Sequence, residues 1–267
     1  MAKLVIITVP YWLGEKTEYS GSVEAALEAN IAEQIGAQVV QIAPQFSADE
    51  EAVVSVNRAL AQAIHDHADS VPLILAGDCT SCWGAVTGLL QRERDLHVMW
   101  YDAHGDFNTP ETSPSGFLGG MPLAAMVGKG NQERVHAIGL RRPIEENRIT
   151  LVDGRDLDPE EAQMLEDSFV HQLPSVSDVQ SRTWEFMPMY IHFDGDVLNL
   201  EDNPAVGYPA AGGPSLAESI ESVQHVIRNS EVKGVLFTLW DQRKPGAEQS
   251  RESLLSVIRA AAEALQA

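Results

Sequence analysis

A chain of 267 residues with 44% hydrophobic and 21% charged residues has the composition of a folded globular protein. Its formal net charge of −21 argues against a nucleic-acid partner, because phosphate groups are bound through Lys and Arg. No apolar run approaches the roughly 18 residues that span a membrane, and two cysteines are too few for a disulfide framework. We therefore expect a cytoplasmic protein with no membrane partner.

Strand and helix patterns alternate along the chain. Short apolar runs predict strands at 4–9, 39–43, 71–76, 96–101, 135–140, 149–152, 189–193 and 232–240. Helical spacing and capping signals predict helices at 23–35, 47–66, 83–90, just before 127, after 158, at 215–228 and at 248–265. The segment 168–185 has no clear pattern. This alternation, without a linker or an internal repeat, predicts one domain over 1–267. Its fold class is α/β, with three layers (α/β/α) around a mostly parallel sheet.

Three of the predicted strands end in polar clusters. Ligands of α/β folds bind beyond the carboxyl ends of the strands, so clusters at several strand ends are expected to meet in one site. The middle cluster also alternates in sequence, which places its side chains on one face of an extended segment. The clusters are Asp78 and Cys79 after 71–76, Asp102, His104 and Asp106 after 96–101, and Asp194 and Asp196 after 189–193.

Four carboxylates and one imidazole in these clusters favour a metal centre. Oxygen-rich ligands suit hard or borderline divalent ions such as Mn²⁺, and this much negative charge suits two ions about 3.5–4 Å apart. Such a pair can share a water, lower its pKa towards about 7 and direct hydroxide at an electrophilic carbon. The alternative is a set of unconnected acidic strand ends. The residues concerned are Asp102, His104, Asp106, Asp194 and Asp196.

Three segments resemble signatures of the ureohydrolase family, which includes arginases, agmatinases, guanidino-acid hydrolases and formiminoglutamases. DAHGD at 102–106 resembles the family's D-A-H-x-D. DGDVLN at 194–199, with NPA and two glycines further on, resembles D-x-D-x-x-D-P and its trailing glycines. AGDCTS at 76–81 resembles G-G-D-H-S, with Cys79 in place of the histidine. The resemblance implies an arginase-like fold, a small guanidino or amidino substrate and a homo-oligomer.

The resemblance also implies a site with two Mn²⁺ ions. Cys79 stands at a metal-binding position, and because a thiolate is a soft ligand, either its ion binds weakly or the cysteine stays off the metal. Asp106 is the implied catalytic residue, which would pass a proton from the attacking hydroxide to the leaving amine. In this arrangement Asp102 and Asp194 bridge the ions, Asp106 completes one of them, and His104 with Asp196 completes the other.

Four polar residues resemble arginase positions that bind an amino-acid substrate. Asn108 and Ser115 match residues that hold the α-carboxylate, and Asp158 and Glu161 match residues near the α-amino group. Agmatine lacks an α-carboxylate, so these four residues favour an arginine-like substrate. For Asp158 and Glu161 the alternative is a helix start, where the helix dipole favours acids.

Departures from the arginase pattern bear on the substrate. Phe117 and Gly119 replace an asparagine and a histidine, and TLWD at 238–241 lacks the glutamate that arginases present to the guanidinium, with Leu239 in its place. Loss of that anion should weaken binding of a fully cationic guanidinium, whereas a less basic N-hydroxyguanidine would tolerate it better. A cysteine at the position of Cys79 is also a feature of the family branch that includes N-hydroxyarginine hydrolases, and in this respect the chain resembles that branch.

We therefore expect a hydrolase that cleaves a guanidino C–N bond. The favoured substrate is N-hydroxy-L-arginine, giving ornithine and hydroxyurea, or L-arginine, giving ornithine and urea. Alternatives within the family are a guanidino-acid hydrolase, an agmatinase or a formiminoglutamase. A non-catalytic relative acting as a binding subunit is the alternative from another class. A thiol–disulfide oxidoreductase would suit C-x-x-C at 79–82, but it leaves the acidic clusters unexplained.

Overall fold

The computed structural model describes residues 2–267, and its centre is one sheet of parallel strands. The strands are β1 Leu4–Val9, β2 Gln38–Gln41, β3 Val71–Ala76, β4 His97–Asp102, β5 Ile149–Asp153, β6 His171–Leu173, β7 Pro188–Phe193 and β8 Glu231–Thr238. Their order is β2-β1-β3-β8-β7-β4-β5-β6, and each neighbouring pair is parallel. The continuously apolar central strands suit this arrangement, because helices cover a parallel sheet on both faces.

Helices cover both faces of the sheet. They are α1 Gly21–Glu28, α2 Ile31–Gln34, α3 Ala52–Asp66, α4 Cys82–Leu90, α5 Pro122–Met126, α6 Gln132–Ile138, α7 Pro159–Glu166, α8 Val176–Gln180, α9 Leu216–Asn229 and α10 Ala247–Gln266. Alternate strand residues enter two hydrophobic clusters: Ile7 belongs to the cluster that includes residues of α3 to α7, and Ile6 to the cluster that includes residues of α1, α2 and α8 to α10. This confirms the predicted three-layer α/β fold.

The strand order brings the polar strand ends together. β3, β8, β7 and β4 are consecutive in the sheet, and their parallel direction places their carboxyl ends at one edge. The register pairs Tyr101 with Phe193 and Phe193 with Phe237, so these strands end level with one another. The segments that follow β3, β4 and β7 therefore leave the sheet side by side.

The prediction of a strand at 135–140 is wrong, because most of this segment belongs to α6. Val135 and Ile138 are buried three residues apart while His136 between them is exposed, which is the pattern of a helix face. A short apolar run fits a strand and a buried helix equally well, and only packing against α3 and α4 decides between them.

Local hydrogen bonding moves two predicted helix boundaries. The helix predicted from 47 begins at Ala52, because the Ser47 hydroxyl accepts the N–H of Asp49 in a turn, at 3.3 Å. The helix predicted at 23–35 is interrupted at Asn30, where φ is 58°. The segment without a clear pattern contains β6 and α8. Within residues 2–267, no helix combines the length and the apolar character that a bilayer crossing requires.

Candidate metal centre and substrate cavity

The ends of β4 and β7 place the acids of the site. Asp102 is the last residue of β4, and Asp194 directly follows β7, where its N–H donates to the Tyr101 carbonyl at 2.8 Å. Each carboxylate accepts the N–H two residues further on, Asp102 from His104 at 2.7 Å and Asp194 from Asp196 at 2.9 Å. These turns bend the chain as it leaves each strand and hold the acids at the sheet edge.

The turn after β3 adds a thiol to the site. Asp78 fixes this turn, since its two oxygens accept the N–H groups of Thr80 at 2.8 Å and Leu13 at 2.7 Å. The Sγ of Cys79 then donates a hydrogen bond to the Asp194 carboxylate at 2.8 Å. Cys79 therefore lies against an acid that comes from a different strand.

Potential metal ligands fall into two groups that share Asp102 among the described residues. In the first group, Nδ1 of His104 lies 3.1 Å from the Asp196 carboxylate and 3.4 Å from that of Asp102. Within each group the ligand atoms lie within 4.8 Å of one another. The first group is Asp102, His104 and Asp196, and the second is Cys79, Asp102, His192 and Asp194.

His192 is the member of these groups that the sequence reasoning missed. It lies in β7, is fully buried, and stacks on the indole of Trp100 with 3.5 Å between ring centroids. Burial lowers its pKa well below the usual value, so the ring is a neutral imidazole. The signal that could have found it is spacing, because the alternation of Asp194 and Asp196 extends back to His192.

Asp106 lines the cavity but belongs to neither ligand group. The extended segment predicted for 102–106 ends at Asp102, and the chain bends before it reaches Asp106, where φ is 48°. The carboxylate is buried, and its Oδ2 has no hydrogen-bond partner among the described residues. Burial, and then the charges of Asp102 and Asp194, raise the pKa of Asp106 well above its usual range.

Crowding of the acids makes this edge of the sheet unfavourable without a cation. Burial and the charge of Asp196 raise the pKa of Asp194 to about 7, and burial and the charge of Asp102 raise that of Asp196 to about 6. Burial opposes a charged His104, but hydrogen bonds with Asp102 and Asp196 outweigh it and raise its pKa to about 12. Buried oxygen donors, mutual repulsion and an unpaired Oδ2 on Asp106 together fit divalent metal ions.

The two cysteines lack the properties of a redox pair. Both thiols are free and buried, and burial raises the pKa of each well above its usual value. A reactive cysteine needs a lowered pKa and access to solvent. The thiol–disulfide alternative is therefore not supported by Cys79 and Cys82.

A cavity of about 350 Å³ opens over the acids. Part of its wall is aromatic, since the Phe117 ring lies 4.9 Å from that of Tyr208 and 5.9 Å from that of Trp12, measured between centroids. Such a wall can pack against the methylene chain or the planar group of a ligand. The predicted substrate-binding residues that line the cavity are Asn108, Ser115, Asp158 and Glu161.

Hydrogen bonds join the loop after β4 to the start of α7. Asn108 Nδ2 donates to Asp158 at 3.0 Å. The buried Glu161 accepts the N–H of Phe107 at 2.8 Å and that of Asp158 at 3.2 Å, one on each oxygen. Glu161 therefore has the helix-start role that the sequence left as an alternative, and its contact with a substrate stays a prediction.

The segment after β8 presents an apolar residue and an acid that is already paired. Leu239 and Asp241 line the cavity. The Asp241 carboxylate accepts hydrogen bonds from the Arg243 guanidinium at 2.8 and 2.7 Å, and these bonds lower its pKa. Asp241 is therefore a poor replacement for a free anion that would face a guanidinium.

Arg155, which the sequence did not single out, joins the end of β5 to the loop after β7. Its guanidinium pairs with the Asp153 carboxylate and donates to the carbonyls of Asp196 and Val197, each at 3.1 Å. The Arg155 and Asp153 side chains are only 16% and 6% exposed. Arg155 therefore supports the turn that carries Asp196.

The fold and the site define an α/β protein with an acidic, potentially metal-binding centre at the carboxyl ends of its strands. Residues 13–237 match the model of the Arginase family, and the chain belongs to that family. It is 33% identical over 180 residues to an arginase of Bacillus subtilis (strain 168) and 33% identical over 183 residues to an arginase of Bacillus caldovelox. These matches cover 62% and 63% of this chain. The chain spans 61% of the length of each of these relatives.

Solved structures agree over a longer part of the chain. A crystal structure of arginase from Bacillus subtilis superposes with a TM-score of 0.87 at 25% identity, covering 97% of this chain and 98% of that one. Arginase from Bacillus caldovelox gives a TM-score of 0.84 at 25% identity, covering 98% of both chains. Formimidoylglutamase from Bacillus subtilis shares the fold, with a TM-score of 0.73 at 19% identity, covering 100% of this chain and 88% of that one.

Replacing Arg155 tests its support of the site. We expect Arg155→Met to lower the free energy of unfolding by about 3 kcal/mol, because Asp153 is left buried without its partner. Urea denaturation followed by circular dichroism measures this change. The control is Arg148→Met, whose partners Asp95 and Glu145 are 74% and 68% exposed, and which should cost less than about 1 kcal/mol. Equal losses of unfolding free energy in the two variants would contradict the stabilising role of the buried pair of Arg155 and Asp153.

Proposed function

We propose that this chain is a metal-dependent hydrolase that cleaves a C–N bond of a guanidino group in an arginine-like amino acid. One observation carries the proposal: two groups of ligand atoms share Asp102, which lines a cavity together with further polar residues. Membership of the arginase family, and 33% sequence identity to each of two arginases, support the guanidino group as the target. We further propose that 1–267 acts as one domain in a cytoplasmic homo-oligomer, as the family resemblance implies.

The two ligand groups suit two divalent ions, for which Mn²⁺ is the proposed metal. Asp102, His104 and Asp196 would hold one ion, and Cys79, Asp102 and Asp194 would hold the other together with the nearby Asp106. Bound divalent ions lower the pKa of water and so supply a nucleophile near neutral pH. Carboxylates and an imidazole are donors that Mn²⁺ accepts, whereas the thiol is the least suitable member of the set.

The chain's own acids and amides orient the substrate and move the proton. Asp106 is the proposed catalytic residue: its buried carboxylate lines the cavity and its Oδ2 has no partner among the described residues, so it would be placed to take a proton from the attacking water and deliver it to the departing amine. Asn108 and Ser115 are proposed to bind the α-carboxylate, and Asp158 the α-amino group. Glu161 is also proposed to lie near the α-amino group, and its hydrogen bonds from the N–H groups of Phe107 and Asp158 position the loop after β4 and the start of α7.

N-hydroxy-L-arginine is the favoured substrate and L-arginine the next. The segment after β8 supports this order, because Leu239 carries no charge and Asp241 is paired with Arg243. A fully cationic guanidinium would leave its hydration shell without gaining a free anion there, whereas an N-hydroxyguanidine is less basic. Agmatine, other guanidino acids and formiminoglutamate are the alternatives within the family.

A substrate panel with manganese-loaded protein tests the proposed reaction. We expect N-hydroxy-L-arginine to give hydroxyurea and ornithine with a kcat/KM at least about 10-fold above that of L-arginine. Agmatine should fall at least about 10-fold below L-arginine, because one charge-assisted hydrogen bond contributes about 1.5–3 kcal/mol. Product analysis by mass spectrometry measures both. Turnover of none of the panel by protein that binds metal would instead favour the non-catalytic relative.

Replacing Asp106 tests its role as proton carrier. We expect Asp106→Asn to lower kcat by about 10²- to 10⁴-fold, the usual contribution of general acid–base catalysis, while the protein still binds metal. Steady-state kinetics and metal analysis by mass spectrometry are run on the same sample. Asp49→Asn, at an exposed acid outside the cavity, is the matched control. A near-normal kcat in Asp106→Asn would remove this residue from the mechanism.

Leu239 allows a direct test of the substrate order. We expect Leu239→Glu to raise the ratio of kcat/KM for L-arginine over that for N-hydroxy-L-arginine by about 10-fold or more, because the new anion can pair with a full positive charge. The control is Leu239→Gln, because glutamine has nearly the shape of glutamate without its charge. This variant should leave the ratio within about threefold of the wild-type value. If the two variants behave alike, charge at this position does not determine the substrate.

A further inference from the structure

His192 has a ring nitrogen for which the described residues provide no partner. Nε2 is buried and makes no hydrogen bond, whereas Nδ1 lies 3.4 Å from the Tyr190 hydroxyl. A buried polar atom without a partner costs about 1–3 kcal/mol, so native structures rarely retain one without a reason. The side chain is 0% exposed, which excludes bulk solvent as the partner.

The surroundings of this imidazole consist of potential metal ligands. A ring nitrogen of His192 lies within 4.8 Å of the Cys79 Sγ and of carboxylate oxygens of Asp102 and Asp194. The thiol and the two carboxylates come from the ends of three different strands, and the imidazole is the fourth potential ligand in this group. The spacing leaves room for a cation in contact with several of them, since metal–donor bonds are about 2.0–2.3 Å long.

Stacking fixes the direction of the ring. The planes of His192 and Trp100 are 1° apart, and Trp100 Nε1 donates to Asp102 at 3.1 Å. The indole therefore orients two members of the same ligand group, one through its face and one through its N–H. Outer contacts of this kind hold metal-binding imidazoles and carboxylates in place.

We propose that His192 is the nitrogen ligand of the ion held by Cys79, Asp102 and Asp194. The thiol is a soft donor and a poor partner for a hard ion, while imidazole binds most divalent transition metals. His192 supplies the borderline donor that this group otherwise lacks. The inference rests on the metal centre of the proposed function and is independent of the identity of the substrate.

Cobalt binding by the full chain tests the proposal. Chelator-treated protein is titrated with Co²⁺ by calorimetry and by visible absorption, for the wild type and for His192→Phe, in which a phenyl ring keeps the stacking on Trp100. We expect two ions per wild-type chain. In the variant one ion should bind at least about 100-fold more weakly, beyond the 10- to 100-fold typical of an outer contact, with a changed visible spectrum. His97→Phe, at the opposite end of the neighbouring strand, is the control and should bind as the wild type does.

A measurement on unaltered protein covers the case in which the variant fails to fold. Pulsed electron paramagnetic resonance of Mn²⁺-loaded wild-type protein, with histidine labelled by ¹⁵N, should detect one coordinated imidazole at each of the two ions. Two results would overturn the assignment of His192 and leave the proposed hydrolase intact. The first is ¹⁵N coupling at only one of the two ions. The second is that His192→Phe binds two ions as tightly as the wild type does. A wild-type chain that binds no metal would refute both.

Discussion

Repulsion among acids at neighbouring strand ends is the constraint on which the rest of the site depends. Asp102 and Asp194 leave paired strands side by side, and burial with nearby negative charge raises the pKa of each. The fold holds them there because each carboxylate accepts one backbone N–H group and because His104 brings positive charge between Asp102 and Asp196. This arrangement costs free energy in the protein alone and becomes favourable when cations bind, so the fold itself favours metal.

The sequence predicts which residues meet more readily than how they meet. Each acidic cluster follows an apolar run, and parallel strands end at one edge, so a shared site can be predicted without knowing the strand order. The order itself depends on long-range packing, which places the last strand, β8, between β3 and β7. Asp106 shows the limit of simple alternation: the chain bends after Asp102 and φ is positive at Asp106, so an extended segment does not predict where its carboxylate lies in the cavity wall.

The sequence interpretations that were wrong or incomplete have related physical causes. Residues 135–140 form a helix because tertiary packing decides the structure of a short apolar run, and the turn at Ser47 forms because a local hydrogen bond competes with the helix. His192 was missed because a histidine inside an apolar strand usually packs as a neutral core residue. Only its three-dimensional surroundings distinguish it from one: Trp100 stacks on its face, Nε2 has no partner among the described residues, and a ring nitrogen lies near the acids.

Charge balance links the proposed metal centre to the choice of substrate. The four acids of the centre would be neutralised by two divalent ions, and the Asp241 carboxylate is already neutralised by Arg243. Leu239 adds no charge beside it, so the segment after β8 offers a bound guanidinium no unpaired anion. A less basic group loses less hydration on entering such a cavity, and the rings of Phe117 and Tyr208 can pack against its planar face. The departures from the arginase pattern at Phe117 and Leu239 therefore favour the same, more weakly charged substrate.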